Sequence, residues 1–144
     1  FDVSPSAHIF AEPGEACVYA PMSDASDAAV EEKRESLAAA GVNTHLGPHH
    51  DDQLDLHELI RRWGREGANE LHFECGAVLA GQLLAQDLVD EILLYLAPAL
   101  VGSSGFPLAQ LPNLQSIQQA LRYRVHDCRM IGDDVRLLLR RGES

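Results

Sequence analysis

The run from Glu70 to Ala97 constrains the fold of this chain most. Glu70-Leu71-His72-Phe73-Glu74 reads as a strand, Cys75-Gly76 as a turn, and Ala77 to Leu88 as a helix with Leu79, Leu83 and Leu84 facing inward. Asp90 to Leu100 follows as a long apolar strand, Glu91-Ile92-Leu93-Leu94-Tyr95-Leu96-Ala97, with Pro98 near its end. A helix between two strands carries the chain back to the starting side of the sheet, so the strands are expected to be parallel. The class read from this unit is α/β.

The flanking sequence extends that class. Ala7 to Phe10 and Ala16 to Ala20 read as short strands separated by the Pro13-Gly14 turn, and Pro21 ends the second. Ser23 to Asp27 offers caps for a helix over Ala28 to Ala40, whose alanine-rich face predicts weak packing and whose end is marked by Gly41. Val42 to Leu46 is a short strand candidate and Gly47 to Gln53 a polar loop. Leu56, Leu59, Ile60 and Trp63 fall on one helical face, with Asp55 as N-cap and Gly64 or Gly67 near the end. Gly102 to Asn113 is a loop rich in Gly, Ser and Pro, and Tyr123 to Met130, Gly132-Asp133-Asp134 and Val135 to Arg140 form an antiparallel hairpin. The 144 residues suit one domain.

Charge and cysteine content narrow the function. Eleven basic residues against twenty-two acidic ones give a formal net charge of −11, which argues against a nucleic-acid surface. Cys17, Cys75 and Cys128 form no CxxC pair and read as reduced thiols of a cytoplasmic protein. No signal peptide is visible and no apolar run reaches the ~18 residues of a membrane span. Phe1 stands where a natural start would have Met, so the chain is read as a piece of a longer protein.

Candidate chemistry gathers at the turn between the Glu70–Glu74 segment and the next helix. The first turn of a helix has unpaired N–H groups and the positive end of the dipole, where a phosphate fits. Gly76 removes the Cβ that would block approach, and Gly81 allows close packing on the sheet or on a cofactor. The same pattern also describes a plain tight turn. Glu74 sits at the carboxyl end of its expected strand, where ligands of open α/β sheets gather. It is placed either to accept hydrogen bonds from a substrate or to cap the next helix.

The run Glu74-Cys75-Gly76-Ala77-Val78-Leu79-Ala80-Gly81-Gln82, continuing to Leu88-Val89-Asp90-Glu91, resembles the reductase half of the bifunctional riboflavin-biosynthesis deaminase/reductase family. Tyr95 to Gly102 and Ile131 to Leu137 are similar to that family's next strand and final hairpin, and Pro13-Gly14-Glu15 matches in place. The resemblance implies a dihydrofolate-reductase-like mixed sheet, mostly parallel with a C-terminal antiparallel hairpin, lacking the family's N-terminal strands. It implies NADPH-dependent reduction of 5-amino-6-(5-phosphoribosylamino)uracil to the ribitylamino product, with hydride transfer to C1 of the opened ribose. Glu74 matches a substrate-contacting glutamate. Gly76, Ala77, Val78, Leu79, Ala80, Gly81 and Gln82 match the cofactor-binding turn and helix start. Cys75 and Ala77 depart from the Ala and Pro that relatives often carry there. A homodimer through the sheet region is also implied. Residues 1–144 would thus be the C-terminal portion of a pyrimidine reductase domain, inactive without the preceding segment. The zinc signature of a deaminase is absent here, so the sequence gives no reason to expect deaminase activity, and a deaminase domain in the parent is left open. Two other readings remain at this stage: a non-catalytic dimerisation domain, and a reductase of a different pterin or pyrimidine.

His45, His49, His50, Asp51, Asp52 and His57 are dense enough to suggest a metal site, but no ligand spacing fits, and a solvated polar turn is the preferred reading. Arg61, Arg62 and Arg65 are expected on a solvated helix face, offset by neighbouring acids. His72 and His126 read as packed or surface histidines, and Trp63 as a core anchor.

Overall fold

Short-range capping signals place most of the elements. In the computed structural model, which describes residues 3–22, 27–50, 53–112 and 116–142, the chain divides into two compact units, Phe1–Leu71 and His72–Ser144. In the first, β1 (Cys17–Pro21) and β2 (Asn43–Gly47) pair in parallel, Cys17 opposite Asn43 and Pro21 opposite Gly47. The connecting α1 (Ala28–Ala39) starts at Asp27, whose carboxylate accepts from the Ala29 N–H at 2.8 Å. It stops at Gly41, which adopts φ +79° while the Val42 N–H returns to the Leu37 carbonyl. Leu37 is the one buried residue of α1, as its alanine-rich face predicts.

The second helix of this unit, α2 (Leu56–Arg65), is capped by the Asp55 carboxylate, which accepts from the Glu58 N–H at 3.0 Å. Leu56 and Leu59 are buried with Ala20, Leu37 and Val42 in a small core. Trp63 Nε1 donates to the Tyr19 hydroxyl at 2.9 Å and its ring meets Tyr19 edge-on, tying α2 to β1. The helix ends before Gly67, at φ +104°. The polar segment expected as a loop forms a small hairpin, with β3 (His49–His50) antiparallel to β4 (Gln53–Leu54). The expected strand Ala7–Phe10 is instead a 3₁₀ turn over His8–Phe10, because a turn at Ser4–Ala7 coils the chain back on itself.

The second unit holds α3 (Ala77–Ala85), β5 (Glu91–Leu96), β6 (Tyr123–Ile131) and β7 (Asp134–Arg141). Its sheet has the order β5-β7-β6 and is antiparallel throughout. Gly132, at φ +61°, turns β6 into β7. The pairing skips His126, so Val125 faces Leu139 while Asp127 faces Leu138. The turn from α3 to β5 passes through Asp87 at φ +61°. Arg141 clamps that turn, donating to the Asp87 carboxylate at 2.9 Å and to the carbonyls of Asp87 and Val89 at 2.6 and 3.0 Å.

The mixed α/β class holds, but its pairing differs from the expectation of a mostly parallel sheet. Among the described residues the one parallel ladder is β1–β2, and the other pairs are antiparallel. Residues Glu70–Glu74 do not form a strand, and β5 pairs with β7 instead of with them. A strand exists only where a second edge accepts its N–H and C=O groups, and no described segment offers one to residues 70–74.

Candidate functional site at the start of α3

An extended, exposed segment delivers the chain to Gly76, the N-cap of α3, at φ −73° and ψ 168°. Many residues adopt that backbone, and a Cβ at Gly76 would meet nothing within 4 Å, so the approach to the helix end is open. The first helical bond runs from the Ala80 N–H to the Gly76 carbonyl at 3.0 Å. The N–H groups of Ala77, Val78 and Leu79 thus have no acceptor within the helix. Gly76 supplies no side-chain cap and the first turn has no acidic residue, so nothing of like charge opposes an anion there. This end of the helix suits a ligand phosphate.

Glu74 lies two residues ahead of the cap, its side chain 88% exposed and Oε1 3.2 Å from Nε2 of His72. Glu74 therefore does not cap α3; Gly76 takes that position. Val78 is exposed, whereas Leu79, Ala80 and Gln82 are half-buried. Gly81 is buried, and a Cβ built on it would overlap the backbone carbonyl of Gln110. The Gln110 N–H also donates to the Ala77 carbonyl at 2.8 Å. The loop after β5 is thus laid directly across α3. Close approach at Gly81 was legible in the sequence, and the neighbour the structure gives it is the Gln110 backbone. Gln110 carried no sequence signal, and His72 was read only as a packed or surface histidine.

The other candidates separate into ordinary structural roles. Arg62 and Arg65 pair with Glu66 and Glu58 at 2.8 and 2.7 Å along α2. The hydrogen bond and charge of Glu66 raise the Arg62 guanidinium above its usual value. His45 stacks on Tyr19 with ring centroids 5.0 Å apart. His49, His50 and His57 are exposed, and Asp51 and Asp52 lie outside the described residues. Among the described residues no group of three His, Cys, Asp or Glu side chains gathers as a metal site. The three cysteines are free and exposed. No helix of the described residues is long and apolar enough to cross a membrane.

A family model described as the RibD C-terminal domain matches residues 20–137 of this sequence. The chain belongs to that family. The match takes in both compact units and every residue of the candidate site. RibD of Escherichia coli, a riboflavin biosynthesis protein, is 40% identical over 98 residues, 68% of this chain and 27% of that protein. The 5-amino-6-(5-phosphoribosylamino)uracil reductase of Buchnera aphidicola is 30% identical over 90 residues, 62% of this chain and 44% of the relative. The chain therefore spans less than half the length of these RibD-family relatives. Among solved structures, one form of Acinetobacter baumannii RibD superposes with a TM-score of 0.78 at 24% identity, over 99% of this chain and 35% of that one. That likeness establishes the fold: the chain shares the mixed α/β fold of the matching part of RibD.

Proposed function

We propose that this chain is part of an NADPH-dependent pyrimidine reductase of riboflavin biosynthesis, acting on 5-amino-6-(5-phosphoribosylamino)uracil in the cytoplasm. The observation that carries this reading is the open start of α3: an uncapped helix end with space at Gly76, in a chain of the RibD C-terminal domain family. The names of the Escherichia coli and Buchnera relatives supply the pathway and the substrate class. The match across residues 20–137 supports treating both units as one reductase domain.

In this reading the N–H groups of Ala77, Val78 and Leu79, reached past Gly76, hold a cofactor phosphate, and Ala80 to Gln82 build the helix behind them. Bound NADPH supplies the hydride. The exposed Glu74 carboxylate accepts hydrogen bonds from N–H or hydroxyl groups of the substrate and fixes its orientation. Turnover requires sequence beyond these 144 residues, a reading supported by the fraction of the relatives that the chain spans.

The test is NADPH oxidation and NADPH binding, with the substrate above, by the 144-residue chain and by a full-length protein carrying it. We expect turnover by the full-length protein alone. Glu74→Gln in that protein should weaken substrate about tenfold or more while leaving NADPH affinity within about twofold, since one charge-assisted hydrogen bond is lost. A full-length protein that binds no dinucleotide would leave the alternative of a non-catalytic dimerisation domain. Preference for a different pyrimidine or pterin would move the substrate assignment but not the reductase.

A further inference from the structure

Most arginines of the second unit are held by carboxylates. Arg129 and Arg136 share Asp127, Arg140 pairs with Glu91, and Arg141 pairs with Asp87. Arg122 and Arg124 differ: neither lies within ion-pair distance of a carboxylate among the described residues. Both line one wide-open surface cleft of about 630 Å³, with Leu121, Tyr123 and Gly142. Two unneutralised cations facing one cleft are unexpected in a chain of net charge −11.

The segment between the arginines is fixed. The Tyr123 hydroxyl donates to the Val89 carbonyl at 2.8 Å, and Tyr123 pairs with Arg141 at the start of β6. Gly142 follows directly and lies against Arg124: a Cβ there would come within 3.4 Å of Nε. The cleft adjoins the turn that leads from the end of α3 into β5, through Val89 and Arg141. The candidate cofactor turn is at the opposite end of α3, whose nine residues span roughly 13 Å.

We propose that the cleft lined by Leu121, Arg122, Tyr123, Arg124 and Gly142 binds the phosphate group of a phosphorylated small molecule, at a site separate from the start of α3. Two guanidiniums present up to ten N–H donors and two positive charges, matching a dianionic phosphate. A carboxylate, with one charge and two oxygens, is satisfied by a single arginine. Leu121 and the Tyr123 ring add apolar surface for the rest of the ligand. This site does not depend on the reductase reading.

The experiment titrates the 144-residue chain with ribose 5-phosphate, inorganic phosphate, ribose and acetate, following backbone amide shifts by NMR. Saturable shifts at Tyr123, Arg124 and Gly142 with both phosphate probes, and not with ribose or acetate, are the expected result. Tighter binding of ribose 5-phosphate than of inorganic phosphate supports an esterified ligand; equal affinity assigns the site to free phosphate and overturns the proposal of a small-molecule ester. Arg122→Gln with Arg124→Gln should weaken the phosphate probes by about tenfold or more and leave any shifts at Ala77 to Leu79 unchanged. Both side chains are exposed and lack ion-pair partners, so this variant should keep the parent's circular dichroism. The shift map of the unsubstituted chain is independent of that. Shifts confined to Ala77–Leu79, equal response to acetate, or no binding at all would overturn the site.

Discussion

Gly81 shows how one residue carries tertiary information. Glycine inside a helix costs about 1 kcal/mol relative to alanine, so in α3 it needs a reason. The reason is the Gln110 backbone, whose carbonyl occupies the space of the missing Cβ. Gly81→Ala should therefore destabilise the chain by about 1–3 kcal/mol despite its better helix propensity, because a backbone contact cannot swing aside as a flexible side chain would. Chemical denaturation checks this; a stabilised variant would show that the loop does not lie on α3. Gly76 makes the contrasting case, since its missing Cβ opens onto space. The two glycines look alike in the sequence. Which one opens onto space and which one faces the chain depends on a loop about thirty residues downstream.

At the scale of elements, the sheet of the second unit is organised around Asp127. Because the pairing skips His126, Asp127 comes onto the face of β6 that meets Arg136, and its carboxylate accepts from Arg129 at 2.6 Å and Arg136 at 2.8 Å. The Arg129 hydrogen bond, reinforced by the charges of both arginines, holds the Asp127 carboxyl below its usual range and outweighs the opposing effect of partial burial. A carboxylate with a depressed folded-state pKa contributes stability that is fully present above its unfolded value of about 4 and is lost as pH falls through the folded value. Asp127→Asn should accordingly melt below the parent at neutral pH, and the gap should close as pH drops below about 4. Melting curves over that range check it; a gap independent of pH would mean that the ion pairs contribute nothing. The hairpin itself was legible from alternation and from Gly132. The skipped residue was not, since a bulge depends on which partner each residue finds across the ladder.

For the whole molecule, the described core is small and the apolar exposure large. Leu96 and Met130 both pair with Val135, and Val125 pairs with Leu139, so these side chains share one face of the β5-β7-β6 sheet. Leu96, Met130 and Val125 are 46%, 62% and 62% exposed. A contiguous apolar sheet face in water favours association, and the resemblance read from the sequence implies a homodimer through this region. We expect the chain to sediment as a dimer at micromolar concentration, and Val125→Asp with Met130→Asp to shift it to monomer without changing its circular dichroism. A parent that sediments as a monomer would overturn this.

The elements legible in the sequence are those whose stabilising contacts are local. Asp27 and Asp55 cap α1 and α2, Gly41 and Gly67 lie at their ends, and Gly132 turns β6 into β7, because the groups they satisfy lie within a few residues along the chain. The strand–turn–helix signal at Gly76 was likewise sufficient to locate the open start of α3 and, through its resemblance, the family. Strand formation at residues 70–74, by contrast, needed a partner edge, and a pattern of strand-forming residues cannot supply one. The pairing of β5 with β7, the contact of Gln110 on Gly81 and the gathering of Arg122, Arg124 and Gly142 at one cleft are likewise decided by residues distant in sequence. Helical hydrogen bonds close over four residues, so propensity and caps determine them. Ladder bonds and loop contacts join segments tens of residues apart, so only the tertiary structure decides which edge, which loop and which charge each residue meets.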